Sequence, residues 1–154
     1  MTSYQKVYDA FLVKMLEDEW VNWSEEEVNE DLRALLESAI PYFKFPRVSL
    51  ERNGEGFLED INSEEIQILS TYMKCEWLNR TVLTWENVKP LYEERDFSQA
   101  NLLDKFRALL EREEDKARRL ESIYYRSVNR KPFSYRRLAT QEWWTSLKKD
   151  ITIS

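Results

Sequence analysis

Carboxylates are the reactive groups this chain carries in quantity: 29 Asp and Glu in 154 residues, gathered at Glu17-Asp18-Glu19, Glu25-Glu26-Glu27 and Glu59-Asp60. Paired carboxylates run glycoside hydrolysis or hold magnesium for phosphoryl transfer. Their placement points elsewhere. Glu17 to Glu19 follow directly on an apolar stripe, Glu25 to Glu27 fall in a first helical turn where the macrodipole favours negative charge, and Glu59 and Asp60 precede a capped helix. These are solvated helix faces and helix starts. Histidine is absent, which removes the commonest general base, the commonest transition-metal ligand and every Ser-His or Cys-His pair. Cys75 stands alone, so it forms no intramolecular disulfide and supplies no zinc cluster. No phosphate-cradling glycine pattern is present. The residues therefore argue against an enzyme, and no catalytic residue, metal or cofactor is expected.

Recognition chemistry is concentrated instead at one end. Residues 126–154 hold seven basic side chains (Arg126, Arg130, Lys131, Arg136, Arg137, Lys148, Lys149) against two acids, a net of +5 that leaves −11 on residues 1–125 of a chain totalling −6. Opposite charge on two parts of one chain attracts between copies as well as within one. Phe133, Tyr135, Trp143 and Trp144 stand between the basic residues, and large aromatics with Arg are the side chains that anchor protein interfaces. Partner-binding candidates are thus Arg126, Arg130, Lys131, Phe133, Tyr135, Arg136, Arg137, Trp143 and Trp144. A solvated tail lying on its own acidic body, or a base-stacking platform for single-stranded nucleic acid, are the competing readings.

The elements that must present this segment are helical. With Gly54 and Gly56 as the only glycines and four prolines, the chain lacks the turn residues that an all-β or α/β fold consumes. Val7, Tyr8, Phe11, Leu12, Met15 and Leu16 make one stripe of an amphipathic helix between Tyr4 and Trp20. Ser24 with Glu27 is a capping box opening a second helix through Leu32, Leu35, Leu36 and Ile40, which Pro41 ends or kinks. Val48 and Leu50, the stretch Asn53-Gly54-Glu55-Gly56, then Phe57 and Leu58 read as a small hairpin near 47–60, and Asn53 to Gly56 is the candidate loop for contact with a neighbouring subunit. Asn62 with Glu65 caps a third helix burying Ile66, Leu69, Met73 and Trp77 and stopping near Asn79; Thr84 caps a short segment after it. Asp96 or Ser98 opens the longest helix, along Leu102, Leu103, Phe106, Leu109, Leu110, Ala117, Leu120, Ile123 and Tyr124. Its middle, Glu111 to Arg119, is almost wholly charged, which predicts a helix projecting past its core.

The expected fold is all-α: a bundle of about four helices with a small β-hairpin insertion, one long C-terminal helix and an extended tail, divided as body 1–130 and basic aromatic extension 131–154. Cys75 lies among Tyr72, Met73, Trp77 and Leu78, which predicts a buried structural thiol and a reducing, intracellular setting. No apolar run reaches membrane-span length, and Met1 to Leu12 lacks the pattern of a signal peptide, so a soluble protein not exported by that route is expected.

Asp31-Leu32-Arg33-Ala34-Leu35-Leu36, Ser49-Leu50-Glu51, Ile66-Gln67-Ile68-Leu69-Ser70, Tyr72-Met73-Lys74-Cys75-Glu76-Trp77-Leu78 and Phe97-Ser98-Gln99-Ala100-Asn101, followed by the long helix, resemble the small helical head-to-tail adaptor (neck, connector) proteins of tailed bacteriophages. The resemblance covers roughly Asp31 to Pro132. It implies a structural virion protein in a homo-oligomeric ring, usually dodecameric, whose C-terminal extension embraces the portal protein while the other side meets the next neck or tail-completion protein. DNA would pass through without specific binding, and Glu111, Glu113 and Glu114 are the candidates for an acidic channel wall. The alternative function is a small acidic intracellular regulator or inhibitor that mimics nucleic acid and occupies a host protein's basic groove.

Overall fold

Helix starts follow the local chemistry closely. The computed structural model describes residues 1–15, 20–88 and 97–126, with backbone alone at 88 and 97–100, and divides the chain into two units, Met1–Leu120 and Glu121–Ser154. In order come strand β1 (Thr2–Ser3), helix α1 (Tyr4–Lys14), helix α2 (Glu25–Ala39), a 3-10 turn (Ile40–Tyr42), strand β2 (Gly56–Phe57), helix α3 (Ser63–Val88) and helix α4 (Phe97–Arg126). The expected all-α class with a small β element is the one observed.

At the start of α2 the Ser24 hydroxyl accepts from the Glu27 amide at 3.3 Å, and the Glu27 carboxylate accepts from the Ser24 amide at 2.9 Å. Asn62 and Glu65 do the same for α3, at 2.9 and 3.0 Å. Two orphan amides are satisfied at each end, so both helix starts are specified within four residues of sequence. Pro41 falls in the 3-10 turn that follows α2, where the missing amide is tolerated.

Two expected boundaries move. α1 was expected to run from Tyr4 towards Trp20, but it ends at Lys14, with Met15 in an extended conformation and its amide returning to Leu12 O at 3.1 Å. The turn lets Trp20 fold back: its ring packs edge-on against Phe11 at 5.8 Å, and its Nε1 donates to Asp31 at 2.8 Å. α3 does not stop near Asn79; it continues to Val88. Thr84, expected to cap a new segment, donates its hydroxyl to Arg80 O one turn back, as Thr81 does to Trp77 O, both at 2.9 Å. Burial of Trp77, Leu78 and Val82 carries the apolar pattern across the expected break.

α3 is the centre of the first unit. Ile68, Leu69, Met73, Cys75, Trp77 and Leu78 are all buried, positions that wrap more than one face of the helix, and α1 and α2 both pack on it. A helix buried around most of its girth has little amphipathic contrast. Even Ser70 and Thr71 are inside, their hydroxyls donating to Gln67 O at 3.2 and 2.7 Å.

Within the first unit the β element forms by a route absent from the expected hairpin. Arg52 bridges to Phe57 and Asn53 N donates to Gly56 O at 2.9 Å, so the turn exists. The pairing of named strands, however, is between β2 and β1, antiparallel, with Thr2 opposite Phe57 and Ser3 opposite Gly56. The Thr2 hydroxyl also accepts from Ile61 N at 2.9 Å, and Tyr4 meets Phe57 edge-on at 5.4 Å.

Ion pairs tie this frame together. Arg80 holds both oxygens of Asp31, at 2.6 and 3.1 Å, joining α2 to α3. Arg52 forms a two-point pair with Glu37, which Arg33 also contacts at 2.9 Å. The Arg52 hydrogen bond, with Arg33 assisting against the opposing effect of partial burial, holds the Glu37 carboxyl at about 2, below its usual 4.5. A depressed folded-state pKa contributes stability that is present above 4.5 and lost as pH falls towards 2. The Glu37 side chain is 37% exposed, so the contribution is modest. In thermal melts from pH 6 to pH 2, Glu37→Gln should therefore flatten the fall of Tm below pH 4.5; an unchanged acid slope would show that the Arg52 pair contributes nothing to folding.

Candidate functional site

Of the residues expected to bind a partner, Arg126 is the exposed last residue of α4, while Arg130, Lys131, Phe133, Tyr135, Arg136, Arg137, Trp143 and Trp144 lie outside the described residues. The described part of the second unit is the last turn of α4, where the Tyr125 hydroxyl donates to Glu121 at 2.5 Å and the rings of Tyr124 and Tyr125 meet at 67°. The Asn53 to Gly56 loop divides by function. Asn53, Gly54 and Glu55 are exposed, and the Asn53 side chain accepts from the amides of Glu55 and Gly56 at 2.8 and 3.1 Å. Gly56 is buried in the pairing with β1, so only the tip of the loop is open to a neighbour.

The three channel-wall candidates separate as well. Glu111 is exposed, and Glu114 is half-buried and 3.8 Å from Arg118. Glu113 is 6% exposed and turned inward, with Oε1 3.1 Å from Lys74 Nζ of α3. Burial removes Glu113 from any channel-facing set. Along this stretch Glu113 and Ala117 are covered, while Glu111, Arg112, Asp115, Lys116, Arg118 and Arg119 are exposed.

Around Glu113 the fold assembles a cluster that periodicity does not reveal. Lys74 comes from α3. Lys14, at the end of α1, donates to Gln67 Oε1 at 2.6 Å, and Gln67 lies two turns before Lys74 on the same face of α3. Lys116 follows Glu113 by three residues on α4, and so shares its face. Burial first, then the charge of Lys116, with Lys74 adding to both, holds Lys14 below the usual lysine pKa; Glu113 offsets part of this. Lys74 thus meets Glu113 directly, Lys14 and Lys116 lie close enough for their charges to act on one another, and Glu113 Oε2 is buried with no hydrogen-bond partner among the described residues. The only early signal was Glu113 itself, a charged residue in phase with Phe106, Leu110 and Ala117.

The acidic counterpart is the start of α2. Glu25, Glu26 and Glu30 are exposed, and Asn22, Trp23, Glu27 and Glu30 line an open groove of about 380 Å³ in which the Trp23 ring is 41% exposed. Cys75 offers no chemistry: burial, followed by the nearby Glu114, Glu113 and Glu76, pushes its thiol up to about 12, so it stays protonated and unreactive at neutral pH. Among the described residues no group of His, Cys, Asp or Glu is arranged to hold a metal ion, and no helix is long and apolar enough to cross a membrane.

No family model, curated protein or solved structure matches the chain.

Proposed function

We propose that this protein is a structural assembly subunit, a head-to-tail adaptor of a tailed-phage neck, forming a ring beneath the portal and docking there through residues 126–154. The observation that carries the reading is the segregation of charge, +5 on the last 29 residues against −11 on the helical body. Heterologous contacts between unlike surfaces of identical subunits form rings where the rotation from copy to copy closes, and a channel built from acidic bodies lets DNA slide without sticking. On this reading the partners are other copies in a ring, a dodecamer by the resemblance, the portal protein and the next neck protein, and its location is the virion.

The internal ion pairs weigh against a nucleic-acid mimic. Asp31, Glu37, Asp60, Glu86 and Glu113 are each engaged by a cation of the chain itself. A mimic displays its carboxylates to the partner's basic groove instead.

Deletion of residues 130–154 tests the proposal. The truncated chain should keep its helical circular dichroism while losing association with itself and with a portal ring in light scattering across concentration. Retained ring assembly and portal binding in the truncated chain would overturn the proposal; so would capture of a host nucleic-acid-binding protein by a full-length chain that stays monomeric.

A further inference from the structure

On a body whose net charge is strongly negative, the place where Lys14, Lys74 and Lys116 converge is a local excess of positive charge. Glu113 answers one of the three, through a single oxygen on Lys74. Among the described residues neither Lys14 nor Lys116 enters an ion pair, and Lys116 and the half-buried Lys14 bring their charges to the surface. Val13, next to Lys14, is 83% exposed, an apolar side chain at the rim of the cationic patch.

The first turns of α2 have the opposite character. Glu26 and Glu30 are four residues apart and so share one face of the helix. Both are exposed and neither enters an ion pair among the described residues. Trp23, just before the cap, supplies an exposed ring beside them. Each surface thus joins like charges to an exposed apolar side chain, and the two are complementary in sign. Charge patches of this kind set register and partner choice, while the adjacent apolar residue supplies the buried contact.

We infer that the Lys14–Lys74–Lys116 patch is a subunit contact that receives the Glu26–Glu30 face of α2, with Trp23, from a second copy of this chain. This rests on the reading of the protein as an assembly subunit and specifies which surfaces of the helical body meet. The contact is heterologous, so it propagates from copy to copy, and it adds to the contacts made by residues 126–154 without sufficing for assembly alone.

Two charge-reversed full-length chains test it. Lys14→Glu/Lys116→Glu turns the patch acidic, and Glu26→Lys/Glu30→Lys makes the α2 face basic; Lys116, Glu26 and Glu30 are exposed and Lys14 is half-buried at the end of α1, and circular dichroism verifies that each variant folds. By sedimentation at low salt, each variant alone should associate at least about tenfold more weakly than the natural chain, because like charges then face each other across the contact. Mixed one to one they should recover most of the association, since the reversed patch meets the reversed face and each unreversed surface still finds its natural partner. Rising salt should weaken the natural and the mixed assemblies together. If the natural chain associates and the variants do so equally well, or if the mixture fails to recover, the assigned contact is wrong while the assembly reading stands. If the natural chain stays monomeric at every concentration, with or without a portal, both fall.

Discussion

Replacing Gly56 by alanine should lower the folding stability by about 2–3 kcal/mol, while the same change at Gly54, two residues away, should alter it by less than about 0.5 kcal/mol. A Cβ on Gly56 would stand 2.2 Å from the Thr2 carbonyl oxygen and 3.0 Å from Ser3 Cα, both main-chain atoms, whereas one on Gly54 meets nothing within 4 Å. Backbone cannot yield as a flexible side chain can, so the β1–β2 pairing must open. With it go the Thr2 contact to the Ile61 amide and the cover over Phe57, which is fully buried. Urea unfolding followed by tryptophan fluorescence measures both variants. Removing Thr2 and Ser3 from the natural chain should reproduce the Gly56→Ala loss and leave little further effect of Gly56→Ala in the shortened chain. Equal stabilities for the two glycine variants would show that the N-terminal strand does not pair there.

Glu113→Leu should cost about 3 kcal/mol, and adding Lys74→Met to it should restore most of that loss. The pair is well covered, with side chains 17% and 7% exposed for Lys74 and Glu113. Removing the carboxylate alone leaves an ammonium in a place with little water to solvate it. Removing both charges leaves an apolar contact between α3 and α4, and also removes the unsatisfied Oε2, itself a cost of about 1–3 kcal/mol for a buried acceptor. A double-mutant cycle on thermal or urea unfolding decides the point. If the double variant is no more stable than Glu113→Leu, the lysine is solvated and α4 is held by its apolar stripe alone.

Much of the helical frame was legible before any coordinates. Ser24 with Glu27, and Asn62 with Glu65, mark helix starts because the groups that satisfy each other lie three residues apart. The boundaries that moved lie where a local signal had two uses. Thr84 has the side chain of an N-cap, but the same hydroxyl bonds back to the helix it sits in once Val82 and its neighbours are buried. Met15 continues the apolar spacing of α1, yet the helix ends at Lys14 with Met15 extended, and Trp20 returns onto Phe11 and Asp31. The expected partner-binding segment is legible in composition alone, since most of it lies outside the described residues.

Interactions spanning up to four residues were therefore determined by the sequence itself: the caps, the break at Pro41, the all-α class and the separation of an acidic body from a basic end. The absence of histidine and the single cysteine likewise set, from composition, which chemistries have no residues to perform them. Only the tertiary structure decided that the N-terminus pairs with residues 56–57, that α3 lies at the centre of the first unit, and that Glu113 faces inward onto Lys74, with Lys14 brought near from α1. Those contacts join residues roughly 40 to 100 positions apart. A charged side chain on a helix is exposed or buried according to the counter-charge another element brings to it, and nothing within one turn of Glu113 reveals that Lys74 will be there.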